Sequence, residues 1–275
     1  MVELPETYVL VDQINRSVKG KRIVRAEAGH SPHTFAWYTG DPAMYHQKLA
    51  GKMITGAGIL SGTVRLIVDD MSLLIGTPIR YHAQGERLPD KHQLLVEFED
   101  STAISCTVQM WGVMFCYRTG EEATGVPPGH IVHDSPPPLD DRFDYNYFLG
   151  LLAPVDRAKT SAKAFLATEQ RIPGLGNGVL QDILWNVYIH PKRKMSSLSD
   201  DEVRRMFLAM KTVLADMVAG GGRDTERDLF GCWGGYRTVL SKNTIGKPCP
   251  RCGSAIKKEA YMGGSIYYCP QCQRS

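Results

Sequence analysis

The chain has 275 residues, of which 43% are hydrophobic and 22% charged, and its 32 basic and 29 acidic side chains give a formal charge of +3. This length suffices for one or two domains with a sizeable core, and the composition excludes a disordered or collagen-like protein. No apolar run approaches the roughly 18 residues of a membrane span, and the polar first residues do not resemble a signal peptide. We therefore expect neither a membrane protein nor an exported one.

The charge is unevenly distributed along the chain. Residues 1–150 hold 13 basic and 18 acidic side chains, whereas residues 151–275 hold 19 basic and 11 acidic ones. Because Lys and Arg that neutralise phosphates dominate nucleic-acid affinity, the basic second half suggests a nucleic-acid partner. A solvated basic surface without a partner explains the charge equally well.

The first 118 residues predict one helix followed by a β domain. Apolar residues at helical spacing predict a helix from Glu6 to Lys19, which Gly20 ends. Short β-rich runs separated by Gly, Asp and Pro then favour a β-sandwich. The predicted strands are Arg22–Ala28, Lys52–Leu60, Thr63–Val68, Ser72–Ile75, Gln93–Glu99 and Ala103–Tyr117.

The second part of the chain predicts helices and a cysteine-rich end. Apolar residues at helical spacing predict helices over Asp144–Leu152, Ser161–Glu169, Asn177–Val187 and Ser199–Ala219. The fold class is therefore α+β. The predicted domains are an N-terminal β-sandwich over 1–118, a Pro- and Gly-rich linker over 119–140, a helical domain over 141–245 and a zinc finger over 246–275.

Four of the seven cysteines lie near the C-terminus with the spacing C-x2-C-x16-C-x2-C. These residues, Cys249, Cys252, Cys269 and Cys272, fit a tetrahedral zinc site. Strand-like segments over 255–262 and 265–268 flank two glycines, so the site is predicted to hold a β-hairpin. Two disulfides are the alternative, but nothing indicates an exported chain and three cysteines would remain over.

A Gly-rich turn over residues 172–178 separates two predicted helices. The free amides at the start of the second helix suit a phosphate, and Asn177 beside Gly176 is placed to act as N-cap and phosphate donor. A plain turn with a capping Asn is the alternative. Nearby basic residues favour DNA, namely Lys159, Lys163, Arg171, Lys192, Arg193 and Lys194.

The amino terminus carries a second candidate site. Removal of Met1 before the small residue Val2 would leave an α-amine with a pKa near ~7.7–8.0, which is partly neutral and nucleophilic at working pH. Glu3 and Glu6 flank it, and an amine beside a carboxylate can perform Schiff-base chemistry with proton transfer. A terminus without a function is the alternative.

Together these three features resemble the formamidopyrimidine-DNA glycosylase / endonuclease VIII family of base-excision-repair enzymes. Its members typically begin with Met-Pro-Glu-x-Pro-Glu, where this chain has Met-Val-Glu-Leu-Pro-Glu. They continue with a β-sandwich, a helix-two-turn-helix domain with a Gly-x-Gly-Asn turn, and a zinc finger. The corresponding turn here is Gly174-Leu-Gly-Asn177, and the resemblance runs in order over nearly the whole chain.

The resemblance implies a DNA glycosylase that flips a damaged nucleotide out of double-stranded DNA. If the residues at the matching positions have the family's roles, Val2 is the nucleophile at the sugar C1′, Glu3 the acid/base, Glu6 a second carboxylate and Asn177 a phosphate ligand. AP-lyase elimination would follow the loss of the base. A monofunctional or abasic-site-processing enzyme and a catalytically inactive damage-binding protein stay open. We expect a monomer with one structural Zn²⁺ in the cytoplasm of a bacterial cell.

The chain departs from the family at several positions that contact DNA. Its primary amine at Val2 gives an imine that is an electron sink only when protonated, so we expect slower lyase chemistry. The family Lys is missing near Ser61, and Gly263–Ser265 stands where the finger usually has Arg.

Other residues are candidate replacements. Met110 or Trp111 could fill the space left by a flipped base, although a buried strand is the alternative. The loop before the finger offers four candidate phosphate ligands, namely Arg223, Arg227, Arg237 and Lys242.

Overall fold

The computed structural model describes residues 2–121, 123 and 135–274, so much of the predicted linker lies outside the described residues. The chain divides into two compact units. The first comprises Met1–Ser135 with Gly221–Gly234, and the second comprises Pro136–Gly220 with Gly235–Ser275. None of the helices in the described part of the chain is long and apolar enough to cross a membrane.

The first unit begins with helix α1, Leu4–Ser17. It starts two residues before the predicted position, because proline is accepted in the first turn of a helix and Pro5 therefore does not delay the start. Glu3 is the N-cap, and its backbone N–H donates to Glu6 Oε2 at 3.2 Å. Leu10 and Ile14 on one face of α1 pack into the core. A short second helix, α2 (Tyr45–Leu49), follows.

Two sheets enclose this core. Their strands are β1 Ile23–Ala28, β2 Ala36–Tyr38, β3 Ile54–Leu60, β4 Thr63–Val68, β5 Met71–Ile75, β6 Ile79–His82, β7 Leu94–Phe98, β8 Ala103–Cys106 and β9 Gly112–Arg118. One sheet has five strands in the order β2-β9-β5-β4-β3 and the other has four in the order β1-β7-β8-β6. Only the β2/β9 pair among these strands is parallel. Apolar side chains from both sheets form one cluster, which confirms the predicted sandwich.

The predicted strand over Ala103–Tyr117 is wrong as a single element. The chain leaves the four-stranded sheet after Cys106 and enters the five-stranded sheet at Gly112. A Cβ atom at Gly112 would lie 2.8 Å from Thr77 Cβ, so the entry requires glycine. The pattern also missed β2, β6 and α2, which are too short to show a clear hydrophobic period.

The second unit contains the predicted helices and hairpin. Its elements are α3 (Tyr145–Leu152), a π-helical turn (Ala164–Thr168), α4 (Asn177–Asn186), α5 (Asp200–Ala219), β10 (Lys257–Tyr261) and β11 (Gly264–Tyr268). Ser199 and Glu202 form the predicted capping box at the start of α5. The turn between the π-helical segment and α4 completes a helix-two-turn-helix arrangement. Gly176, and not Asn177, is the N-cap of α4, so Asn177 is its first helical residue.

The domain prediction and the two units differ in the assignment of residues 221–234, and the second unit also includes the predicted zinc finger. Residues 221–234 fall within the predicted helical domain 141–245, but they pack with the first unit. The reason is a set of long-range hydrogen bonds to α1 and the β domain. Gln13 binds Asp228 and the backbone of Leu229, and the Tyr81 N–H donates to the Leu229 carbonyl.

Candidate active site and nucleic-acid interface

Two carboxylates and one guanidinium form a buried cluster at the start of α1. Glu3, Glu6 and Arg223 are 8%, 3% and 2% exposed. Arg223 donates to Glu6 through Nε at 3.0 Å and Nη2 at 2.6 Å, and its backbone N–H donates to the same carboxylate at 3.2 Å. Its Nη1 lies 3.4 Å from Glu3 Oε2. A bidentate pair of this kind fixes both side chains.

The electrostatics of this cluster follow from its burial. Burial lowers the pKa of the Arg223 guanidinium, but the attraction of Glu3 and Glu6 outweighs it and the pKa lies above its usual range. Burial also raises the pKa of the neighbouring Glu226 carboxyl. Arg223 is therefore permanently charged, and Glu6 uses its oxygens for four hydrogen bonds, including the one from the Glu3 N–H.

Glycines let the segment that carries Arg223 approach α1. Gly222 has φ +98°, and a Cβ there would lie 3.6 Å from Glu6 Oε1. A Cβ at Gly234 would lie 2.2 Å from the backbone carbon of Gly222, closer than any side chain permits. The two ends of the segment thus cross in direct backbone contact, which only glycine allows.

This geometry corrects the sequence-based role of Arg223. A guanidinium that is 2% exposed and neutralised by carboxylates does not form an exposed phosphate contact. Its role in this structure is to fix Glu6 and to face Glu3. The sequence offers no local signal for it, because Glu6 and Arg223 are 217 positions apart.

Val2 is half-buried and packs against the core beside Glu3. The β3/β4 turn lies at the same end of α1, since Thr7 Oγ1 donates to the Gly62 carbonyl at 3.0 Å. Ser61 and Gly62 form this turn with φ values of +48° and +71°. The place where the family Lys is expected is therefore a tight turn without a cationic side chain.

Met110 and Trp111 lie in the loop between β8 and β9. They are 66% and 38% exposed, which excludes the alternative of a buried strand. The N–H of Gly112 donates to the Phe35 carbonyl, so the exposed Phe35, just before β2, and Trp37 in β2 lie next to the end of this loop. Exposed aromatic side chains of this kind can stack on bases.

The segment 221–234 also presents a cation–aromatic pair that the sequence did not reveal. The Arg227 guanidinium lies 4.2 Å from the centroid of the Trp233 ring and donates to the Gly231 carbonyl. Asp228 accepts from the N–H groups of Phe230 and Cys232 and so rigidifies the tip. Trp233 is exposed.

In the second unit, Asn177 holds the hairpin. Its Nδ2 donates to the Ser265 carbonyl at 2.6 Å, and its Oδ1 is buried without a hydrogen-bond partner among the described residues. Gln181, one turn later on α4, donates to the same carbonyl and accepts from the Tyr267 N–H. The hairpin tip thus lies against the start of α4, where Gly176 is partly exposed.

Lys163 is a second correction to the predicted DNA-binding set. It is 2% exposed, and its Nζ donates to the Tyr261 carbonyl in β10. Burial lowers the pKa of its ammonium group. In this structure Lys163 therefore holds the hairpin and does not present a surface charge.

The other basic residues near the turn differ in availability. Arg171, Lys192 and Arg193 are paired with Glu169, Glu259 and Glu202, respectively. Arg237 and Lys242 are exposed and form no ion pair with the part of the chain that the structure describes. Asp182 binds the N–H groups of Val239 and Leu240 and so fixes the segment that presents Arg237.

The four C-terminal cysteines converge. Cys249 and Cys272 have their sulfurs 3.9 Å apart, and Cys252 and Cys269 have theirs 3.4 Å apart. A disulfide would bring them to about 2.0 Å, whereas sulfurs bound at about 2.3 Å to a tetrahedral ion lie about 3.8 Å apart. Trp185 Nε1 donates to Cys249 Sγ at 3.4 Å, as an outer partner of a metal ligand does. The cluster can bind a metal ion, and the disulfide alternative is wrong.

No family model matches the chain. Curated relatives do match over its whole length. The formamidopyrimidine-DNA glycosylase of Mycobacterium avium (strain 104) is 27% identical over 99% of this chain and 98% of that protein. The protein of the same name from Roseiflexus sp. (strain RS-1) is 28% identical over 100% of both.

Solved structures agree. MutM (Fpg) from Thermus thermophilus has a TM-score of 0.79 at 23% identity and covers 98% of both chains. The Lactococcus lactis formamidopyrimidine-DNA glycosylase non-covalently bound to DNA with an AP site also has a TM-score of 0.79 at 23% identity, over 99% of this chain and 100% of that one. In sequence over its whole length and in fold, the chain is a relative of the formamidopyrimidine-DNA glycosylases.

Proposed function

We propose that the chain is a DNA glycosylase that removes damaged bases from double-stranded DNA and cleaves the resulting abasic site. The observation that carries this proposal is the fixed Glu3–Glu6–Arg223 cluster directly beside Val2. Relatives across the whole length bear the name formamidopyrimidine-DNA glycosylase, and one related structure contains DNA with carbocyclic 8-oxo-G. The base-excision reaction needs an amine and a carboxylate at one place; Val2 would supply the amine and the adjacent cluster the carboxylate.

In the proposed reaction, the α-amine of Val2, freed by removal of Met1, attacks C1′ of the flipped nucleotide. The N-glycosidic bond breaks, and its electron pair leaves with the base, which takes up a proton. Glu3 transfers protons at the sugar. Glu6 has a different task, because its four hydrogen bonds make it the anchor of Arg223 and of the helix start.

After base loss the nitrogen lone pair of Val2 expels O4′ from C1′, and O4′ takes up a proton, so the sugar ring opens. The lyase step proceeds through the resulting imine that joins Val2 to the opened sugar. Loss of the C2′ proton and departure of the 3′ phosphate follow, with the protonated imine as the electron sink. Because a primary amine gives an imine that can lose its proton, we expect strand cleavage to be slower than base release.

DNA binding is proposed to use both units. Asn177, the Gly176 amide region and exposed Arg237 and Lys242 bind phosphates in the second unit. Met110 and Trp111 fill the gap of the flipped base in the first. Cys249, Cys252, Cys269 and Cys272 hold one Zn²⁺, for which their sulfur separations are suited, and the ion stabilises the hairpin that Asn177 contacts.

The test uses duplexes that contain an oxidised purine, an oxidised pyrimidine or an abasic site, with base release and strand cleavage measured separately. We expect turnover on at least one, loss of both activities in Glu3→Gln, and retained activity in the exposed control Glu99→Gln. Base release without cleavage would indicate a monofunctional enzyme. Damage binding by both wild type and Glu3→Gln without any turnover would indicate a binding protein and contradict the proposal.

A further inference from the structure

A second cluster of metal-ligating side chains lies in the first unit, outside the site described above. Glu27 in β1, His30 just after it and His92 just before β7 each offer a ligand atom, and these atoms lie within 4.8 Å of one another. Glu27 Oε2 is 3.2 Å from His92 Nε2, and Glu27 Oε1 is 3.4 Å from His30 Nδ1. Two ligands bound at about 2.0 Å to a tetrahedral Zn²⁺ lie about 3.3 Å apart, so these separations fit a shared ion.

The hydrogen-bond partners of His92 leave a place for a cation. His92 is 4% exposed, and its Nδ1 is 3.1 Å from the Pro89 carbonyl, which assigns a proton to that nitrogen. Its ring is stacked on that of His30, with the two ring centroids 4.5 Å apart. Nε2 of His92 faces Glu27 Oε2 at 3.2 Å, so an ion that takes the place of this hydrogen bond would contact both atoms.

The backbone around the cluster is already fixed. The Gly29 N–H donates to the Gln93 carbonyl, and the Ser31 N–H donates to the His92 carbonyl. Ser31 Oγ accepts from the His92 N–H at 3.2 Å. These bonds tie the segment after β1 to the segment before β7, so the ligands need little reorganisation to bind an ion.

One cation of the chain already contacts this carboxylate. Arg25 Nη2 lies 3.2 Å from Glu27 Oε2, but the side chain is half exposed and its Nη1 also pairs with Glu97 at 2.8 Å. Arg25 can therefore keep Glu97 as its partner when Glu27 binds an ion.

We propose that Glu27, His30 and His92 bind a divalent transition-metal ion of the Zn²⁺ class, with water completing its coordination. Two imidazoles and one carboxylate suit zinc, cobalt or nickel, whereas calcium and magnesium require oxygen ligands. The ion clamps the two segments together. The site is independent of the four cysteines and of the proposed DNA chemistry.

The full-length protein is equilibrated in a zinc buffer, and bound zinc per chain is measured by elemental mass spectrometry. Wild type is expected to hold one ion more than Glu27→Gln, His30→Ala or His92→Ala. His33→Ala removes an imidazole from the same loop and is expected to keep the wild-type count. When the proteins are loaded with Co²⁺ instead, these variants should bind one ion fewer than wild type. Their thiolate-to-metal charge-transfer bands, which report the cysteine site, should equal those of wild type.

Equal zinc content in wild type and in both Glu27→Gln and His30→Ala overturns the proposal and leaves an ordinary imidazole–carboxylate ion pair. These two variants decide the matter even if His92→Ala fails to fold, because Glu27→Gln keeps the side-chain shape and His30 is half exposed. Loss of the charge-transfer bands together with the extra ion would also overturn it, since the two sites would then not be independent.

Discussion

Removal of the Arg223 guanidinium is expected to destabilise the first unit. Arg223→Ala leaves the Glu6 carboxylate buried without its bidentate partner, and neither side chain is more than a few per cent exposed, so water cannot replace the lost contacts. Breaking a buried pair from one side costs about 3–5 kcal/mol. With a urea m value of about 2 kcal/mol/M, the unfolding midpoint of this unit should fall by about 2 M.

The assay is urea unfolding followed by fluorescence, combined with DNA affinity over a range of salt concentrations. Arg237→Ala is the matched control, because its exposed side chain should change stability by less than ~0.5 kcal/mol while weakening DNA binding. The double variant Glu6→Gln/Arg223→Met removes both charges and should recover part of the loss. The burial account is refuted if Arg223→Ala unfolds at the wild-type midpoint and only reduces the salt slope of log K by about 1.

Three further outcomes are expected. Replacement of both Met110 and Trp111 by Ala should weaken binding to DNA with an abasic site by about 1–3 kcal/mol per lost stacking contact in a titration, with unchanged stability; unchanged affinity would contradict a stacking role. Burial lowers the pKa of His82 below its usual value, so the unfolded state binds the proton more readily and stability should fall as pH drops below about 6.5; acid unfolding curves of wild type and His82→Gln should diverge in that range and not above it. Chelation of metal should release the hairpin and lower DNA affinity, whereas a chelated protein with intact affinity would show that the cysteine cluster is not needed for binding.

Local signals in the sequence predicted much of the fold. The capping box at Ser199, the glycines between β10 and β11 and the spacing of the four cysteines each act within a few residues, and the structure has an element at each place. The same holds for most strands, because they are short runs rich in β-branched and other apolar residues that Gly, Asp and Pro separate. The linker prediction and the removal of Met1 fall largely outside the described residues and stay predictions.

Long-range pairing explains what the sequence could not predict. Arg223 and Lys163 look like surface charges in the sequence, and only the fold brings Glu6 to the first and the Tyr261 carbonyl to the second. Likewise, nothing in the sequence near Gln13 predicts its hydrogen bond to Asp228, which lies 215 positions away. A basic residue looks the same in the sequence whether it binds phosphate or is buried against acceptors within the protein. Arg223 and Lys163 were therefore predicted to bind DNA.

The central claim is that the Val2 amine forms the covalent bond to DNA. Borohydride reduction of the protein mixed with abasic-site DNA, followed by digestion and mass spectrometry of the adduct, tests it most directly. We expect a reduced adduct on the α-nitrogen of Val2 in chains that have lost Met1, and none in chains that retain Met1. An adduct on a lysine, or no adduct with any abasic duplex, would contradict it.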